Sequence, residues 1–475
     1  MKFYFYIAFF ISFSGFSQGT VGLLYEEMPS DSVSKNSITI HSGCLPQTRL
    51  TNKIADSTGE KKSYLSITGL IDGGIRYSDQ AEFRAGLGLQ LESTIKEKWF
   101  IRFAGVEGLS RADSVYQPKA YIFNPKGSNF LYTDLRGRIS YTPNSIFNFQ
   151  VGLDHNFIGE GNRSLFLSDY GKPYPFGQIK ARFWRVEYTV LYQFFREQAG
   201  DKWKSKNGVT HHISLNATKW MNIGVFESVI FQPKDTLLNR GYDAEYLNPV
   251  IFYRPQEYAM GSSDNVVLGL SFSAKFKKHM LYGQFILDEF LLAEVKAKSG
   301  WWANKYGGQL GVKGRFSSST TKSFYRLEYN FVRPYTFAHL NSGQNYGNQG
   351  MTLAHPYGSN FMELLGEYKM QFKKWSLKGF VSYFLRGYDK DGFSYGGNIY
   401  QPYTLRPQDY GNFIGQGLGN NGLRLSITVS YQLVNHGNLQ AFFENQLRYD
   451  SAFKSTMYVP MIGIRSCLWN DYRNY

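Results

Sequence analysis

The chain has few cysteines, no long hydrophobic run after its first residues, and no segment that would serve as a linker between domains. Only Cys44 and Cys467 occur among its 475 residues, which excludes a disulfide-rich scaffold, and neither has the spacing of a zinc site. Beyond the amino terminus no stretch approaches the roughly 18 to 20 apolar residues of a membrane-spanning helix. No Pro-rich or charged block divides the chain, so a single large unit is favoured over several soluble domains.

Aromatic residues and glycine are abundant instead. The chain contains 36 Tyr, 39 Phe, 8 Trp and 48 Gly, and 43% of its residues are hydrophobic. The mean hydropathy is nevertheless -0.36, so polar and apolar residues must be finely interleaved. This composition excludes a disordered or collagen-like chain. The net charge of +15 would suit phosphate, anionic lipid or anionic sugar partners without choosing among them.

The first residues have the pattern of a secretory signal. Lys2 is followed by an aromatic-rich apolar run at 3–13 and by small residues before Gln18, which predicts a cleaved signal peptide over residues 1–17. Residues 18–63 are polar and predict a short, loosely structured periplasmic segment. An exported protein permits a bridge between Cys44 and Cys467, but two unpaired thiols are the simpler interpretation.

From residue 64 to the end, apolar and polar residues alternate with a period of two, which is typical of β-strands with one apolar face. In the clearest case Leu425, Ile427 and Val429 oppose Ser426 and Thr428. The pattern predicts about eighteen strands of the length expected for tilted membrane strands. Segments of this kind lie at 65–77, 83–93, 98–106, 131–141, 146–155, 184–194, 209–218, 220–231, 266–276, 279–290, 306–316, 322–332, 360–372, 374–386, 423–433, 437–449 and 456–469, with 247–254 as a further candidate.

A soluble sandwich would also alternate, but three features favour a transmembrane barrel. Aromatic residues sit near strand ends, as in the girdles of outer-membrane barrels; examples are Trp99, Tyr141, Trp184, Tyr329 and Trp375. Short turns such as 142–144 and 277–278 alternate with long polar loops such as 387–421, and the chain ends on Tyr475. We therefore expect residues 64–475 to form an all-β, antiparallel outer-membrane barrel of about 18 strands with a water-facing polar interior.

Glu227 breaks this pattern, because it shares its face with Ile223, Val225 and Val229. A charge on the lipid face costs about 2–4 kcal/mol at the membrane midplane. We expect either a β-bulge that turns Glu227 inward or a place at the membrane rim, in preference to a buried catalytic carboxylate.

Several longer motifs resemble a known family. Residues 159–169 read Gly-Glu-Gly-Asn-Arg-Ser-Leu-Phe-Leu-Ser-Asp, and residues 355–361 read His-Pro-Tyr-Gly-Ser-Asn-Phe. Together they resemble the RemB-type gliding-motility outer-membrane proteins of Bacteroidota, which are related to the Wzi capsule-assembly barrels. The resemblance extends over most of the chain beyond about residue 150. The other matching segments are 173–175, 226–227, 246–250, 261–265, 282–284, 287–290, 463–465 and 468–470.

The resemblance implies a binding or assembly role in gliding motility or in handling surface polysaccharide, with gliding or secretion proteins as further partners beside membrane lipid. The candidate ligand contacts are charged and polar residues, most of them at strand positions whose alternation points them into the lumen, because arginine forks suit carboxylate and phosphate groups. Tyr-rich loops such as 388–410 could in addition stack on sugar rings. The alternative is a self-satisfied network of lumenal charges, in which Glu160, Arg163 and Asp169 brace their own loop. The candidate set is Arg136, Arg138, Asp154, Glu160, Arg163, Asp169, Arg185, Gln284 and Asp288.

Other functions have little support in the sequence. The Gly159, Gly161 and Ser164 pattern lacks the following helix of a nucleotide site, no histidine has a metal spacing, and the basic residues are too dispersed for nucleic acid. We expect no enzymatic activity, cofactor or metal. Two alternatives stay open. One is a diffusion porin for small anionic solutes, which would have an open lumen, whereas we expect the loop at 159–176 to narrow it. The other is an outer-membrane hydrolase using Ser214 and His212.

Overall fold

The computed structural model describes residues 44–45, 64–78, 80–96, 98–111, 121–126, 129–199, 202–233, 244–249, 264–434 and 439–466. The expected signal peptide, Cys467 and the aromatic carboxy terminus lie outside the described residues, as does the segment 18–63 apart from Cys44 and Leu45. The proposed disulfide and the signal peptide therefore stay predictions.

Strands make up most of the described chain. In chain order they are β1 (Cys44–Leu45), β2 (Tyr64–Tyr77), β3 (Ala81–Ile95), β4 (Trp99–Arg111), β5 (Tyr121–Lys126), β6 (Asn129–Tyr141), β7 (Phe147–Asp154), β8 (Phe157–Ile158), β9 (Tyr174–Phe183), β10 (Val186–Ala199), β11 (Lys202–Asn216), β12 (Met221–Phe231), β13 (Asn265–Phe276), β14 (His279–Glu289), β15 (Lys305–Ser317), β16 (Thr321–Val332), β17 (Gly347–Asn348), β18 (Met351–Thr352), β19 (Phe361–Phe372), β20 (Trp375–Tyr388), β21 (Leu418–Gln432), β22 (Leu439–Asp450) and β23 (Ser455–Ser466).

Helical structure is sparse in the described ranges. One five-residue helix, α1 (Leu292–Lys296), precedes β15, and 3-10 turns span Ala244–Leu247, Ser342–Gln344 and Tyr403–Leu405. None of the described helices has the length and apolar character needed to cross a membrane.

Eighteen strands close into one antiparallel barrel, which confirms the predicted fold class. They follow one another around the wall in chain order from β2 to β23, and the barrel closes where Asp72 of β2 lies opposite Arg465 of β23. Strand β5 adds to the edge of β6. The pairs β1 with β8 and β17 with β18 form separate two-stranded sheets, and Cys44 lies opposite Ile158 in the first of them.

The barrel has one end of short turns and one end of long loops. The short-turn end carries connections such as 184–185, 277–278 and 373–374, and it includes the start of β2 and the end of β23. Aromatic side chains lie along this rim, where the Trp99 and Tyr141 ring centroids are 4.3 Å apart and Trp184 is 79% exposed. This distribution fits the interfacial girdle expected from the sequence.

Seventeen of the predicted segments are barrel strands. Of the further candidate at 247–254, Leu247 ends a 3-10 turn and 250–254 lie outside the described residues. The eighteenth barrel strand, which was not predicted, is β9. Its first outward residues are Pro175 and Gly177 and its first lumenal residues are the buried Tyr174 and Phe176, and the usual apolar outer face begins only at Ile179.

The sides of the wall follow the predicted alternation, but the interior is less polar than expected. On β21, Ile427 is 58% exposed toward lipid, whereas Ser426 and Thr428 are buried in the lumen. The expected water-facing polar interior describes only part of the wall, because wall residues such as Phe226 and Ile286 join loop residues such as Phe166 in a buried apolar cluster. The loops that fill the lumen supply the partners that make these inward apolar side chains favourable.

The bulge that was one of the two expectations for Glu227 is absent. The register runs without a shift from His211 through Glu227 to Leu268, so Glu227 keeps its outward parity. It is nevertheless fully buried. It lies opposite His211, whose Nδ1 is 2.5 Å from the hydroxyl of Tyr188 on the next strand. Three polar side chains therefore share the outer face of β10, β11 and β12.

Candidate functional site

The residues predicted to bind a ligand converge on a loop that folds into the lumen. We call residues 155–173, between β7 and β9, loop A. Its centre is apolar: Leu165, Phe166 and Leu167 are fully buried. The Phe166 ring stacks on Phe226 of β12 with centroids 4.4 Å apart. Gly269 of β13 leaves the space for this ring, since a Cβ at that position would collide with it.

Gln284 of β14 holds the backbone of loop A. Its Oε1 accepts a hydrogen bond from the Leu165 N–H at 2.8 Å, and its Nε2 donates to the Ile158 carbonyl at 3.0 Å. Gly159, with φ of +151°, turns the chain against this amide. One buried side chain thus satisfies a donor and an acceptor that water cannot reach.

Carboxylates of the wall bind the tip of loop A, residues 162 and 163. Glu328 of β16 accepts from the backbone N–H groups of Asn162 at 2.8 Å and Arg163 at 3.3 Å. The fully buried Arg163 guanidinium lies 3.7 Å from Glu363 of β19. A buried charge is costly unless it is paired, so these contacts fix the loop in one position.

Two further ion pairs hold the amino-terminal half of loop A. Glu160 accepts from Lys313 Nζ of β15 at 2.7 Å. At the other side Arg138 of β6 donates to the His155 carbonyl at 2.8 Å and lies 3.5 Å from Asp154. These residues therefore hold loop A in place inside the lumen.

Two more inward segments complete the filling, and we call residues 333–360 loop B and residues 389–417 loop C. Ser168 of loop A donates to the Ala354 carbonyl of loop B at 2.5 Å. Asp288 of β14 accepts from the Phe337 N–H of loop B at 2.8 Å. Loop C joins them through Ile399 in the apolar cluster and through the Gly396 carbonyl, which accepts from the Tyr335 N–H of loop B at 3.1 Å.

His355 lies at the meeting point of loop B and the wall. Its Nε2 is 2.8 Å from Glu363 Oε2, and its ring stacks on Phe361 with centroids 4.2 Å apart. Burial lowers the pKa of His355 to about 4, although the neighbouring Glu363 carboxylate opposes the shift. The uncharged ring is therefore the form that the closed lumen accommodates.

The remaining predicted site residues are not all part of this cluster. Arg136 pairs with Asp134 on its own strand at 2.9 Å, and Asp169 is a half-buried residue of loop A. Arg185 lies in the short turn beside Trp184, with its guanidinium 5.5 Å from that ring, at the opposite end from loops B and C. Of the cysteines, Cys44 is described only as a backbone partner of Ile158.

Sequence reasoning did not identify Glu328, Glu363 and Lys313 as the anchors of loop A. It also missed the part played by loops B and C. One signal was available: large apolar residues such as Leu191, Phe226 and Val267 occupy lumenal parity. Such residues in a wall indicate that something apolar packs inside it.

The hydrolase alternative gains no geometric support. Ser214 Oγ accepts a hydrogen bond from Asn222 Nδ2 at 2.7 Å, and both Ser214 and His212 are buried in the wall. A nucleophile must be reachable by substrate, and the fully buried Ser214 hydroxyl does not meet that requirement.

The structure thus defines a transmembrane β-barrel of the outer-membrane type whose lumen is filled by its own loops. No protein-family profile matches the chain, and no curated protein matches it in sequence. Among solved structures it is similar to Wzi of Escherichia coli, an outer-membrane protein involved in group 1 capsule assembly and described as a carbohydrate-binding β-barrel. The TM-score is 0.55 and the identity 12%, with 85% of each chain covered.

Two porin-like structures also align over most of the chain with lower scores. OccAB4 of Acinetobacter baumannii gives a TM-score of 0.44 at 9% identity, covering 86% of this chain and 99% of that one. OprD of Pseudomonas aeruginosa gives 0.43 at 10% identity, covering 85% and 96%. The likeness to Wzi shows a shared fold.

Proposed function

We propose that this protein binds, or helps to assemble, an anionic surface polysaccharide in the outer membrane, without catalysing a reaction on it. The observation that carries the proposal is the closed lumen. Gln284, Glu328 and Glu363 of the wall all contact loop A and hold it inside the barrel. A diffusion channel, in contrast, needs an open path. The Wzi barrel, which shares the fold, is described as carbohydrate-binding.

The long-loop end offers a surface suited to sugar rings. Loop C exposes Phe393, Tyr410 and Phe413, each at least half exposed. Arg406 pairs with Asp409 at 2.6 Å in the same loop. Aromatic faces beside a charged pair provide both stacking and hydrogen bonding for a glycan. The resemblance to gliding-motility proteins of Bacteroidota suggests that such a polysaccharide serves adhesion or capsule, with motility or secretion proteins as partners.

A pull-down tests this function. Surface polysaccharide purified from the organism that encodes the chain is immobilised and offered the detergent-solubilised protein, with neutral dextran as the comparison polymer. We expect selective retention on the surface polysaccharide and a several-fold loss in Tyr410→Ala/Phe413→Ala, because each aromatic contact contributes roughly 0.5–1.5 kcal/mol.

The control variant is Leu291→Ala/Leu292→Ala, which removes exposed apolar residues at the same end and should leave retention unchanged. Equal binding of the wild type to dextran and to the surface polysaccharide would count against the proposal. Arg136→Ala/Arg138→Ala is less suitable for this test, since Arg138 anchors loop A.

A further inference from the structure

Basic side chains follow the short turns around one end of the barrel. The turns that join β9 to β10, β11 to β12, β13 to β14 and β19 to β20 each carry one or two of them, and these turns contain no acidic residue. The lysines among them are exposed, and the arginine is half-buried. We call this set the basic rim, and its members are Arg185, Lys219, Lys277, Lys278, Lys373 and Lys374.

Each of these turns also has an exposed aromatic residue beside its basic residue. The Trp220 and Phe276 rings, from neighbouring turns, lie with their centroids 5.7 Å apart. Aromatic girdles of this kind lie where the wall of an outer-membrane barrel passes from the hydrocarbon to the lipid headgroups. The aromatic residues that flank the basic rim are Trp184, Trp220, Phe276, Phe372 and Trp375.

Two members of the basic rim lie against these rings. Lys373 Nζ is 5.4 Å from the centre of the Phe372 ring, and the Arg185 guanidinium is 5.5 Å from the centre of the Trp184 ring. Phe372 has the same outward parity as the exposed Tyr368 of β19. Because a cation is attracted to the face of an aromatic ring, these contacts hold the two charges on the outside of the wall, at the depth of the girdle.

The carboxylates of the neighbouring wall face the lumen and have partners there. Glu187 of β10 is buried, 2.5 Å from Arg182 and 3.5 Å from Lys180. Glu367 of β19 is buried 3.0 Å from Arg326. Within the described part of the chain, no carboxylate lies at ion-pair distance from the lysines of the basic rim. The rim therefore presents charge of one sign to its surroundings.

The described loops at the opposite end of the barrel carry both signs of charge instead. In loop C, Lys390 lies 3.6 Å from Asp391, and Arg406 lies 2.6 Å from Asp409. A cation that has such a neighbour gains little from an external anion. The short-turn end is thus the better place for an anionic partner that does not enter the lumen.

We infer that the basic rim binds the headgroups of anionic phospholipids in the periplasmic leaflet of the outer membrane. The short turns of outer-membrane barrels face the periplasm. Lysine and arginine side chains at a membrane interface extend toward the headgroups, and an anionic membrane surface attracts them. The four turns are spread along the wall from β9 to β20, which suits several lipid molecules side by side better than one docked acidic protein.

This surface lies at the other end of the barrel from loop C, so the inference does not depend on the proposed function. Lipid selection by the full-length barrel tests it. The protein is reconstituted in nanodiscs that contain equal amounts of phosphatidylglycerol and phosphatidylcholine with the same acyl chains, and native mass spectrometry counts the lipids that stay bound on release. We expect phosphatidylglycerol to be bound several-fold more often than phosphatidylcholine, with a preference that falls as salt is raised.

The test variant is Lys277→Gln/Lys278→Gln/Lys373→Gln/Lys374→Gln, which removes four exposed charges from two turns of the rim. We expect its preference for phosphatidylglycerol to fall several-fold, toward equal binding of the two lipids. Arginine at the same four positions keeps the charge and should keep the preference. If the glutamine variant does not fold, Lys373→Gln/Lys374→Gln, confined to one turn, gives the same comparison.

The matched control removes four exposed lysines from the opposite end, in Lys296→Gln/Lys298→Gln/Lys390→Gln/Lys454→Gln, and should select lipids as the wild type does. The inference would be overturned by a wild type without a preference, by a test variant that keeps it, or by equal loss in the test variant and the control.

A second probe separates lipid from an acidic protein partner. A polyglutamate peptide is offered to the detergent-solubilised wild type and test variant, and its binding is measured by fluorescence anisotropy. We expect weak binding that the four substitutions hardly change. Tight peptide binding that is lost in the test variant, together with unchanged lipid selection, would assign the basic rim to an acidic protein and overturn the inference.

Discussion

Gln284 illustrates how much a single lumenal side chain decides. Its amide satisfies the Leu165 N–H and the Ile158 carbonyl of loop A. Replacing it with alanine leaves the buried Leu165 N–H without that partner, whereas the Ile158 carbonyl keeps its hydrogen bond from the Ser164 hydroxyl at 2.6 Å. A buried donor that is left unsatisfied costs about 1–3 kcal/mol. We predict that Gln284→Ala lowers the free energy of unfolding by this amount, measured by denaturant titration in detergent micelles.

A second substitution at the same site distinguishes lost bonds from lost volume. Gln284→Glu keeps the acceptor for Leu165 but brings a carboxylate against the Ile158 carbonyl, so it should also destabilise the barrel. Gln90→Ala is the control, because Gln90 is a lumenal residue of β3 whose amide bonds to Glu92 of its own strand at 3.2 Å. Equal unfolding free energies for Gln284→Ala and the control would contradict the assigned role.

For a single residue, the sequence predicts whether the side chain faces the lumen or the lipid, but not which groups it contacts. Parity predicted correctly that Arg138, Gln284 and Asp288 face the lumen. Their partners are backbone groups of loops far away in sequence, and period-two patterning contains no information about the path of those loops. For Arg185 parity did not help, since the residue lies in a turn where strand geometry no longer applies.

Among the inward segments, loop B contains a histidine whose pKa differs between the folded and the unfolded protein. His355 ordinarily titrates near 6.5, and burial lowers its pKa to about 4 in the folded protein. The stabilising contribution of the neutral ring is therefore fully present above about pH 6.5 and is lost as the pH falls toward 4. The free energy of unfolding should therefore fall between about pH 6.5 and pH 4.

We predict that the wild type loses about 1–2 kcal/mol of unfolding free energy between pH 7.5 and pH 5 through this group. The measurement is the unfolding midpoint at both pH values. His355→Gln, which keeps a neutral donor, should reduce the acid sensitivity. His279→Gln, at the short-turn end, should leave it unchanged, and an unaltered acid response in His355→Gln would rule out this residue as its source. His339 of loop B, whose pKa burial also lowers to about 4, accounts for part of what remains.

Strands were predictable where their outer face is apolar, and β9 shows the limit. Its first outward residues are Pro175 and Gly177, so only Ile179, Ala181 and Phe183 are left to form the apolar face that marked the other strands. Of the further candidate at 247–254, most lies outside the described residues, and Leu247, whose carbonyl accepts a hydrogen bond from the Tyr192 hydroxyl at 2.9 Å, ends a 3-10 turn.

For the molecule as a whole, seventeen of the eighteen barrel strands and the two different ends followed from the sequence, because alternation and turn length are local properties. The narrowing of the lumen by the loop at 159–176 was also expected, but its filling by loops B and C beside loop A was not. Wide barrels of 16 to 18 strands leave an aqueous channel unless something fills them. Whether this barrel conducts is therefore a question about its loops.

We predict that the intact protein shows little steady conductance in planar bilayers, and that replacing residues 159–168 with two glycines raises conductance roughly tenfold. The deleted stretch contains Arg163 and Phe166, which occupy the centre of the lumen, so its removal opens a path even though loops B and C remain. Replacing residues 292–297 with two glycines is the matched control, because α1 has no buried residues and lies at the same end. A large steady conductance in the intact protein would favour a diffusion porin over a polysaccharide-binding barrel, since the closed lumen is the observation on which that proposal depends.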